Sequence, residues 1–185
     1  MKNKKFFSTY ILIAVLLILI GGILFVNNSK EQEKQVAAEK SVYENFDVSD
    51  IDKIEIIEDQ KTVTIYKNED KWMKQETIEE EVKEYEVEEP KVTAALSKIA
   101  SLKVTEPVTT SEDKQALFEV DDEHSKRIKL YNQEKVIVDL HIGKITSDFT
   151  GSYFRLEGED AIFKSKESLS SAFNPTVFKE IQEEE

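Results

Sequence analysis

The most constraining feature of the chain is an uncharged stretch over residues 6–26, FFSTYILIAVLLILIGGILFV. As a helix, these 21 residues would be about 31 Å long, close to the hydrocarbon thickness of a bilayer. Fifteen of them are Leu, Ile, Val or Phe, a composition that is uncommon in a core helix of a soluble protein. The stretch therefore predicts a transmembrane helix over residues 6–26.

The orientation of this helix follows from the charges beside it. Lys2, Lys4 and Lys5 precede the stretch, whereas Asn27 and Asn28 follow it. Because positive charge stays on the cytoplasmic side, residues 1–5 are expected to be a cytoplasmic leader and the remainder extracytoplasmic. The predicted location is the cell membrane, with a single pass.

Two other types of export segment fit the sequence less well than an anchor. A cleaved signal peptide has a shorter apolar core and a small-residue cleavage site, and the sequence 36–38 (Val-Ala-Ala) that would serve lies beyond a charged spacer. Cleavage is therefore the less favoured alternative. A lipoprotein needs a cysteine, and the chain has none. Disulfide bonds are excluded for the same reason.

The charge balance restricts the possible partners. The chain has 25 Lys and Arg against 38 Asp and Glu. Removing the three leader lysines leaves 22 basic residues against the same 38 acids, a net charge of −16 for residues 27–185. This charge argues against nucleic acid and against adhesion to anionic lipid head groups. A solvated acidic surface, a cationic partner and weak binding of divalent cations remain open.

Residues 27–45 are predicted to be a polar stalk. Within it, residues 29–40 are polar and favour a helix, with Ser29 and Gln32 spaced as a capping box. They lack a sustained apolar heptad, so a short solvated stalk is favoured over a coiled coil. Residues 46–185 are predicted to form one folded extracytoplasmic domain, which is long enough to bury a core.

The first part of this domain has the pattern of strands followed by a helix. Apolar residues alternate over 50–58, 62–67 and 72–75, as in a three-stranded meander. Pro90 is suited to the first turn of a helix. The apolar residues that follow it have helical spacing on one face: Val92, Ala95, Leu96, Ile99 and Leu102. The acidic stretch 77–89 has no clear period.

A similar order returns further along the chain. Alternation predicts two hairpins, over 127–142 and 153–164, and then a helix from Ser165 that Asn174 and Pro175 end. The predicted fold class is α+β, an antiparallel sheet with helices packed on it. It would consist of two similar strands-then-helix units, 51–102 and 126–173, preceded by one transmembrane helix.

Several short motifs together resemble a known family. They are the N-terminal anchor, Trp72 at the end of a strand pair, Glu89-Pro90-Lys91-Val92, Ala94-Ala95-Leu96-Ser97, Leu117-Phe118-Glu119-Val120, Ile142-Gly143-Lys144 and Gly151-Ser152-Tyr153-Phe154-Arg155. In this order they resemble the bacterial domain-of-unknown-function family 4340 over residues 48–182. Trp72, Gly143, Tyr153 and Arg155 match the most recognisable positions of its pattern.

The resemblance implies a location and a type of role. Members of that family are commonly membrane-anchored and extracytoplasmic, and some accompany gliding-type ABC transporter components. It implies an auxiliary function near a transporter or the envelope, without an established chemistry. The four pattern positions are expected to be structural.

The physical properties of these residues also favour structural roles. Trp72 should be buried beneath the helix that starts at Pro90. Gly143 and Gly151 should each set a turn that needs positive φ, and the loop 144–150 between them is a candidate partner contact. Arg155 should pair with a carboxylate.

Candidate chemistry is sparse. The run Asp121-Asp122-Glu123-His124 is the best metal candidate, but it lacks the alternating spacing of a calcium loop. His141 alternates with Leu140 and Ile142 and is expected to face solvent. Residues 111–114 fit S-x-x-K without the motifs that accompany it in enzymes. No catalytic, cofactor-binding or metal residue is therefore assigned.

Two hypotheses on function remain. The favoured one is a non-enzymatic, membrane-anchored binding or accessory module for an ABC-type transporter or envelope assembly. It would bind the membrane and a membrane or envelope protein, with no nucleic acid, cofactor or small-molecule substrate. The alternative is an envelope hydrolase or carbohydrate-binding domain, whose carboxylates would converge in a cleft near Asp121, Asp122 and Asp148.

Overall fold

A computed structural model describes residues 40–43, 46–78 and 81–181. The predicted leader (1–5), transmembrane helix (6–26) and most of the stalk lie outside these residues. Among the helices of the described residues, none is long and apolar enough to span a bilayer.

Ten strands and three α-helices make up the described chain. In chain order they are β1 (Lys40–Ser41), β2 (Lys53–Glu58), β3 (Lys61–Asn68), β4 (Lys71–Ile78), β5 (Glu81–Val87), α1 (Glu89–Ala100), β6 (Lys103–Val104), α2 (Gln115–Phe118), β7 (Lys126–Asn132), β8 (Lys135–Ile145), β9 (Ser152–Leu156), β10 (Ile162–Lys164) and α3 (Leu169–Ala172). The prediction of an antiparallel sheet accompanied by helices is confirmed.

Eight strands form one sheet in the order β10-β9-β8-β7-β2-β3-β4-β5. Every neighbouring pair in it is antiparallel. Each half is a four-stranded meander, β2–β5 before α1 and β7–β10 before α3, and the two first strands meet in the middle, with Ile56 opposite Ile128. Separately, β1 pairs with β6, so Lys40 and Ser41, at the end of the predicted stalk, are part of the folded domain.

The meander of the first half has one strand more than predicted. The acidic stretch 77–89 contains β5, whose side chains are mostly exposed, so no apolar period marks it. In the second half, the helix expected from Ser165 is only α3, a single turn that Ser168 caps through the N–H of Ser171. Ser165 instead bonds to β9, since its hydroxyl donates to the Ser152 carbonyl, and the Leu169 N–H donates to the Ser152 hydroxyl.

One face of the sheet carries the main core. Alternation along the strands places apolar side chains on this face. Of the five residues predicted for the buried side of the helix, α1 contributes four, Val92, Ala95, Leu96 and Ile99. The fifth, Leu102, lies just beyond the end of α1 and is buried as well. Trp72 is 5% exposed within this cluster, which confirms its predicted burial. Phe154, Phe173 and Phe178 are fully buried and complete the core.

The opposite face is covered only in part. The irregular segment 105–125, which includes α2, approaches β8 closely, because the carbonyl of Phe118 lies against Gly143. Val120 and Ile162 are fully buried but do not belong to the main core cluster. The second half of the sheet therefore has a small additional core, and polar side chains lie beside it.

Candidate functional site

The polar side chains of this second face centre on His141 in β8. Its ring faces away from Leu140 and Ile142, as alternation requires, but it is 0% exposed. The expectation that it faces solvent is therefore wrong. The reason is long-range: Asp122 and Ser125, from the segment before β7, and Arg155 and Glu157, from β9 and its end, close over the ring.

Both ring nitrogens of His141 have hydrogen-bond partners. Nδ1 lies 2.8 Å from Ser125 Oγ, and Nε2 lies 2.7 Å from Glu157 Oε2. Because a carboxylate only accepts, Nε2 carries the proton and Nδ1 accepts from the serine hydroxyl. Burial lowers the pKa of His141, and the positive charges of Arg155 and Arg127 act in the same direction against the bond to Glu157. The imidazole is accordingly neutral at pH 7.

Two arginines complete this cluster. Arg155 donates from Nε to the Val120 carbonyl at 3.0 Å, and its Nη2 lies 3.3 Å from Asp122 Oδ1. Arg127 makes a two-pronged bond to Asp139, at 2.7 and 2.8 Å, and its Nη2 also lies 3.0 Å from Glu157 Oε1. The prediction that Arg155 pairs with a carboxylate is confirmed, but the guanidinium is buried rather than exposed.

The arrangement of Asp122, His141 and Glu157 resembles a metal site, since one ligand atom from each lies within 4.8 Å of the others. The surroundings do not favour a cation. Arg155 lies between the two carboxylates, 3.3 Å from Asp122 and 3.8 Å from Glu157, and His141 offers them a proton. A metal would have to displace both the Arg155 guanidinium and the proton on His141. The cluster is therefore better suited to holding β7, β8 and β9 to the segment 105–125 that covers them.

Nor does the cluster have the geometry of a nucleophilic serine. Ser125 and His141 are both buried, and the bond to Glu157 leaves Nδ1 free to accept from the serine. That contact resembles the start of proton abstraction. However, an attacking hydroxyl must reach a substrate, and here the Ser125 hydroxyl is turned inward onto the buried His141 ring.

The prediction that Gly143 and Gly151 each set a turn with positive φ is wrong. Neither Gly143 nor Gly151 has positive φ; among the glycines of the described chain only Gly158 does. Glycine is needed at these two positions because the backbone of another segment approaches closely. A Cβ at Gly143 would overlap the carbonyl oxygen of Phe118, and one at Gly151 would overlap that of Ser165. Tyr153 is half-buried and packs on Phe118, with ring centroids 4.6 Å apart.

The acidic run before β7 does not converge on one ion. Asp121 Oδ1 accepts the backbone N–H groups of Glu123 and His124 and pairs with the His124 ring at 2.8 Å, whereas Asp122 faces Arg155. Asp148 is bound to the Thr146 hydroxyl at 2.5 Å. The three carboxylates considered for an enzymatic cleft thus take part in three separate sets of hydrogen bonds.

A groove of about 800 Å³ lies on the other side of the domain, between β4, β5 and residues 175–181. Lys74 is buried beside it and donates to Tyr85 Oη at 2.8 Å and to the Pro175 carbonyl at 3.1 Å. It also pairs with Glu76 at 3.0 Å. Sequence reasoning missed this lysine, although its spacing of two from Trp72 places it on the buried face.

The outer edge of β5 borders this groove. The Glu86 carbonyl accepts the N–H of Ile181, and Val87 bridges to Glu180. Because backbone groups alternate in an antiparallel strand, Val82 and Glu84 direct theirs to the same outer edge. No backbone partner for them occurs among the described residues. The Val82 side chain is 62% exposed.

Comparison with known proteins identifies the family. The model of the family described as a domain of unknown function, DUF4340, matches residues 80–183, more than half of the chain. The chain belongs to this family. Gly143, Tyr153 and Arg155 lie within the match, and Trp72 precedes it. A search of the curated proteins finds no match, and neither does a search of the solved structures.

Proposed function

We propose that the protein is a membrane-anchored, extracytoplasmic binding module without catalysis of its own. It serves an ABC-type transporter or an envelope assembly and recruits a protein partner through the β5 edge. The supporting observation is that Val82 and Glu84 direct backbone groups outward, without a backbone partner among the described residues, beside the adjoining groove. A partner segment in extended conformation would add to the sheet there, which is a common mode of peptide recognition.

The charges of β5 indicate the type of partner strand. Glu81, Glu84 and Glu86 outnumber Lys83 on the strand. The groove beside it adds three carboxylates and two lysines: Glu76, Glu88 and Glu180 with Lys74 and Lys179. Like charges that face each other across strands repel. The edge therefore disfavours pairing with a second copy of itself and suits a strand rich in Lys or Arg.

The proposal also includes the predicted membrane anchor and the repeated architecture of the domain. The uncharged stretch over residues 6–26 supplies the membrane span, which holds the domain outside the cell beside its partner. The two four-stranded meanders, each followed by a helix, support an origin by duplication. A groove of about 800 Å³ adjoins the β5 edge of the first unit.

Photo-crosslinking in intact cells tests the β5 edge. A crosslinking amino acid at Lys83, which is exposed, should give a discrete adduct with a membrane or envelope protein. Val82→Pro removes an outward N–H without touching the bonds to β4. It should lower the adduct yield about tenfold, since the lost bond and the ring's bulk together cost about 1.4 kcal/mol of binding.

The matched control is Val82→Thr, which keeps the N–H and has nearly the same shape. It should retain the adduct. Equal yields from the two variants, with both domains folded, would rule out strand addition at this edge. An adduct that contains only a second copy of the chain would replace the accessory role with self-association.

A further inference from the structure

The last described residues of the chain return to the β5 edge. Phe178 is 0% exposed and lies in the main core. Two residues further on, Glu180 forms an antiparallel bridge with Val87. The N–H of Ile181 then donates to the Glu86 carbonyl at 3.1 Å. This contact is the beginning of a ninth strand on the eight-stranded sheet, and we call the residues that make it, 179–181, the edge cap.

The edge cap uses the same row of backbone groups as strand addition. Every second residue of an antiparallel strand directs its N–H and C=O to the same side, so Glu86 continues the outward row of Val82 and Glu84. A partner strand that pairs along this row meets Ile181 beside Glu86. Pairing along the whole row therefore requires that the edge cap leave β5.

The turn just before the edge cap is held firmly. The Pro175 carbonyl accepts the N–H of Phe178 at 3.3 Å and the buried Lys74 ammonium at 3.1 Å. The Lys74 ammonium is itself fixed by Tyr85 Oη at 2.8 Å and by Glu76 at 3.0 Å. Because the Phe178 ring lies in the core and the lysine is buried beneath the turn, this part of the chain is a fixed point.

The edge cap itself is held weakly. The side chains of Lys179 and Glu180 are exposed, and that of Ile181 is 41% exposed. Within the described chain, the Ile181 N–H supplies the one backbone hydrogen bond from the edge cap to β5. Segments with exposed side chains and few buried contacts open at a low free energy. The edge cap is therefore able to leave β5 while the turn before it stays in place.

We propose that the edge cap is an internal competitor for the β5 edge, which a partner strand displaces when it pairs from Val82 through Glu86. The proposal rests on the partner binding at β5 in the proposed function and describes its regulation. A free edge strand is a template for pairing with other extended chains. Because the edge cap has to be displaced, only a partner whose contacts outweigh that loss binds fully. The partner segment must match the five residues from Val82 to Glu86 in extended conformation, since a shorter one would stop at the edge cap.

A disulfide between positions 86 and 181 tests the proposal by locking the edge cap in place. Because the chain has no cysteine of its own, Glu86→Cys with Ile181→Cys allows one disulfide. Residues paired in this way have Cα atoms about 5.5 Å apart, within the range that a disulfide spans. The photo-crosslinking amino acid at Lys83 reports partner binding in intact cells. We expect the adduct yield of the locked chain to rise severalfold on reduction with dithiothreitol, whereas Ile181→Cys alone should give the same yield with and without it.

A second pair of variants releases the edge cap instead of locking it. Ile181→Pro removes the N–H that bonds to Glu86. The adduct yield at Lys83 should then rise about fivefold, the factor that one hydrogen bond contributes to an equilibrium. Ile181→Val keeps both the N–H and a β-branched side chain, and it should leave the yield at the wild-type level. Urea denaturation followed by tryptophan fluorescence verifies that each variant is folded.

The outcomes distinguish this proposal from the one on which it rests. Equal adduct yields from the locked, reduced and Ile181→Pro chains would overturn the competition and leave binding at the β5 edge intact. A yield that rises on locking would also overturn it, because the edge cap would then be part of the binding surface. No adduct from any of these chains would remove the proposed partner binding and the competition together. Failure of the disulfide to form in the purified, folded chain would contradict the contact between Ile181 and Glu86 and sink the proposal, whatever the adduct yield.

Discussion

Gly143 shows how one residue fixes the position of a whole segment. A Cβ there would overlap the Phe118 carbonyl oxygen and come within 2.7 Å of Val120 Cγ1. The backbone of β8 and the backbone at Phe118 can separate only if the segment that covers His141 moves. Gly143→Ala should therefore lower the free energy of unfolding by about 3 kcal/mol. Urea denaturation of the full chain in detergent, followed by the fluorescence of the single tryptophan, measures this change.

Gly158 is the matched control for that substitution. It has φ of +78°, and a Cβ there would meet nothing within 4 Å. Gly158→Ala should cost only the backbone strain, about 1 kcal/mol. An effect of Gly143→Ala no larger than this would mean that the segment over β8 moves freely.

His141 makes stability depend on pH in a defined direction. Burial holds its folded pKa below 6.5, so between the two pKa values only the unfolded chain binds the proton. The free energy of unfolding therefore falls as pH drops below about 6.5. His141→Gln should flatten this slope by up to about 1.4 kcal/mol per pH unit. Urea midpoints from pH 7 to pH 5 measure the slope.

His124 provides an internal contrast. Its bond to Asp121 raises its pKa above 6.5, so any contribution to stability is complete below that value and is lost as pH rises above it. His124→Gln should leave the slope below pH 6.5 unchanged. Glu157, with a lowered pKa, acts below its ordinary value of 4.5, outside this window. Identical slopes for wild type and His141→Gln would mean that the buried imidazole does not titrate as described.

At the scale of elements, the sequence pattern predicted the strands and the helix whose side chains are buried at regular intervals. The strands β2, β3, β7 and β8 alternate because one face meets the core, and α1 repeats its apolar residues for the same reason. The strand β5 escaped prediction because it is an edge whose side chains are mostly exposed and charged. It is a strand because it pairs with β4 as a hairpin, from Ile78 opposite Glu81 to Trp72 opposite Val87, and this pairing leaves no apolar period in β5.

The polar cluster could not be predicted in the same way. Alternation gave the correct direction for His141, away from Leu140. Its burial depends on Asp122 and Ser125, which belong to an irregular segment whose path has no sequence period. The sequence predicts a turn at Gly143, but the glycine's role as a point of backbone contact depends on the position of Phe118, 25 residues earlier. Alternation along a strand predicts the direction of a side chain, but it cannot predict which distant segment of the chain covers that side chain.

At the scale of the whole molecule, the two meanders are joined by a single strand pair. Five residue pairs connect β2 to β7, including Ile54 with Leu130 and Ile56 with Ile128, and all four of these side chains are buried. The core cluster extends across the junction from Trp72 to Phe154. Neither unit could expose its half of this core to water without a large loss of hydrophobic stabilisation.

The domain should therefore unfold as one cooperative unit, despite its repeated architecture. In hydrogen exchange of the full chain at rising urea, the amides of β3 and β9, one from each meander, should converge on a single free energy of opening, because the shared core links them. Ile128→Ala should lower both values together, by about 2–5 kcal/mol. Exposed Val136→Ala, in the neighbouring strand, should lower neither appreciably. If β9 opened at a lower free energy that never met the value for β3, the two meanders would be separate folding units.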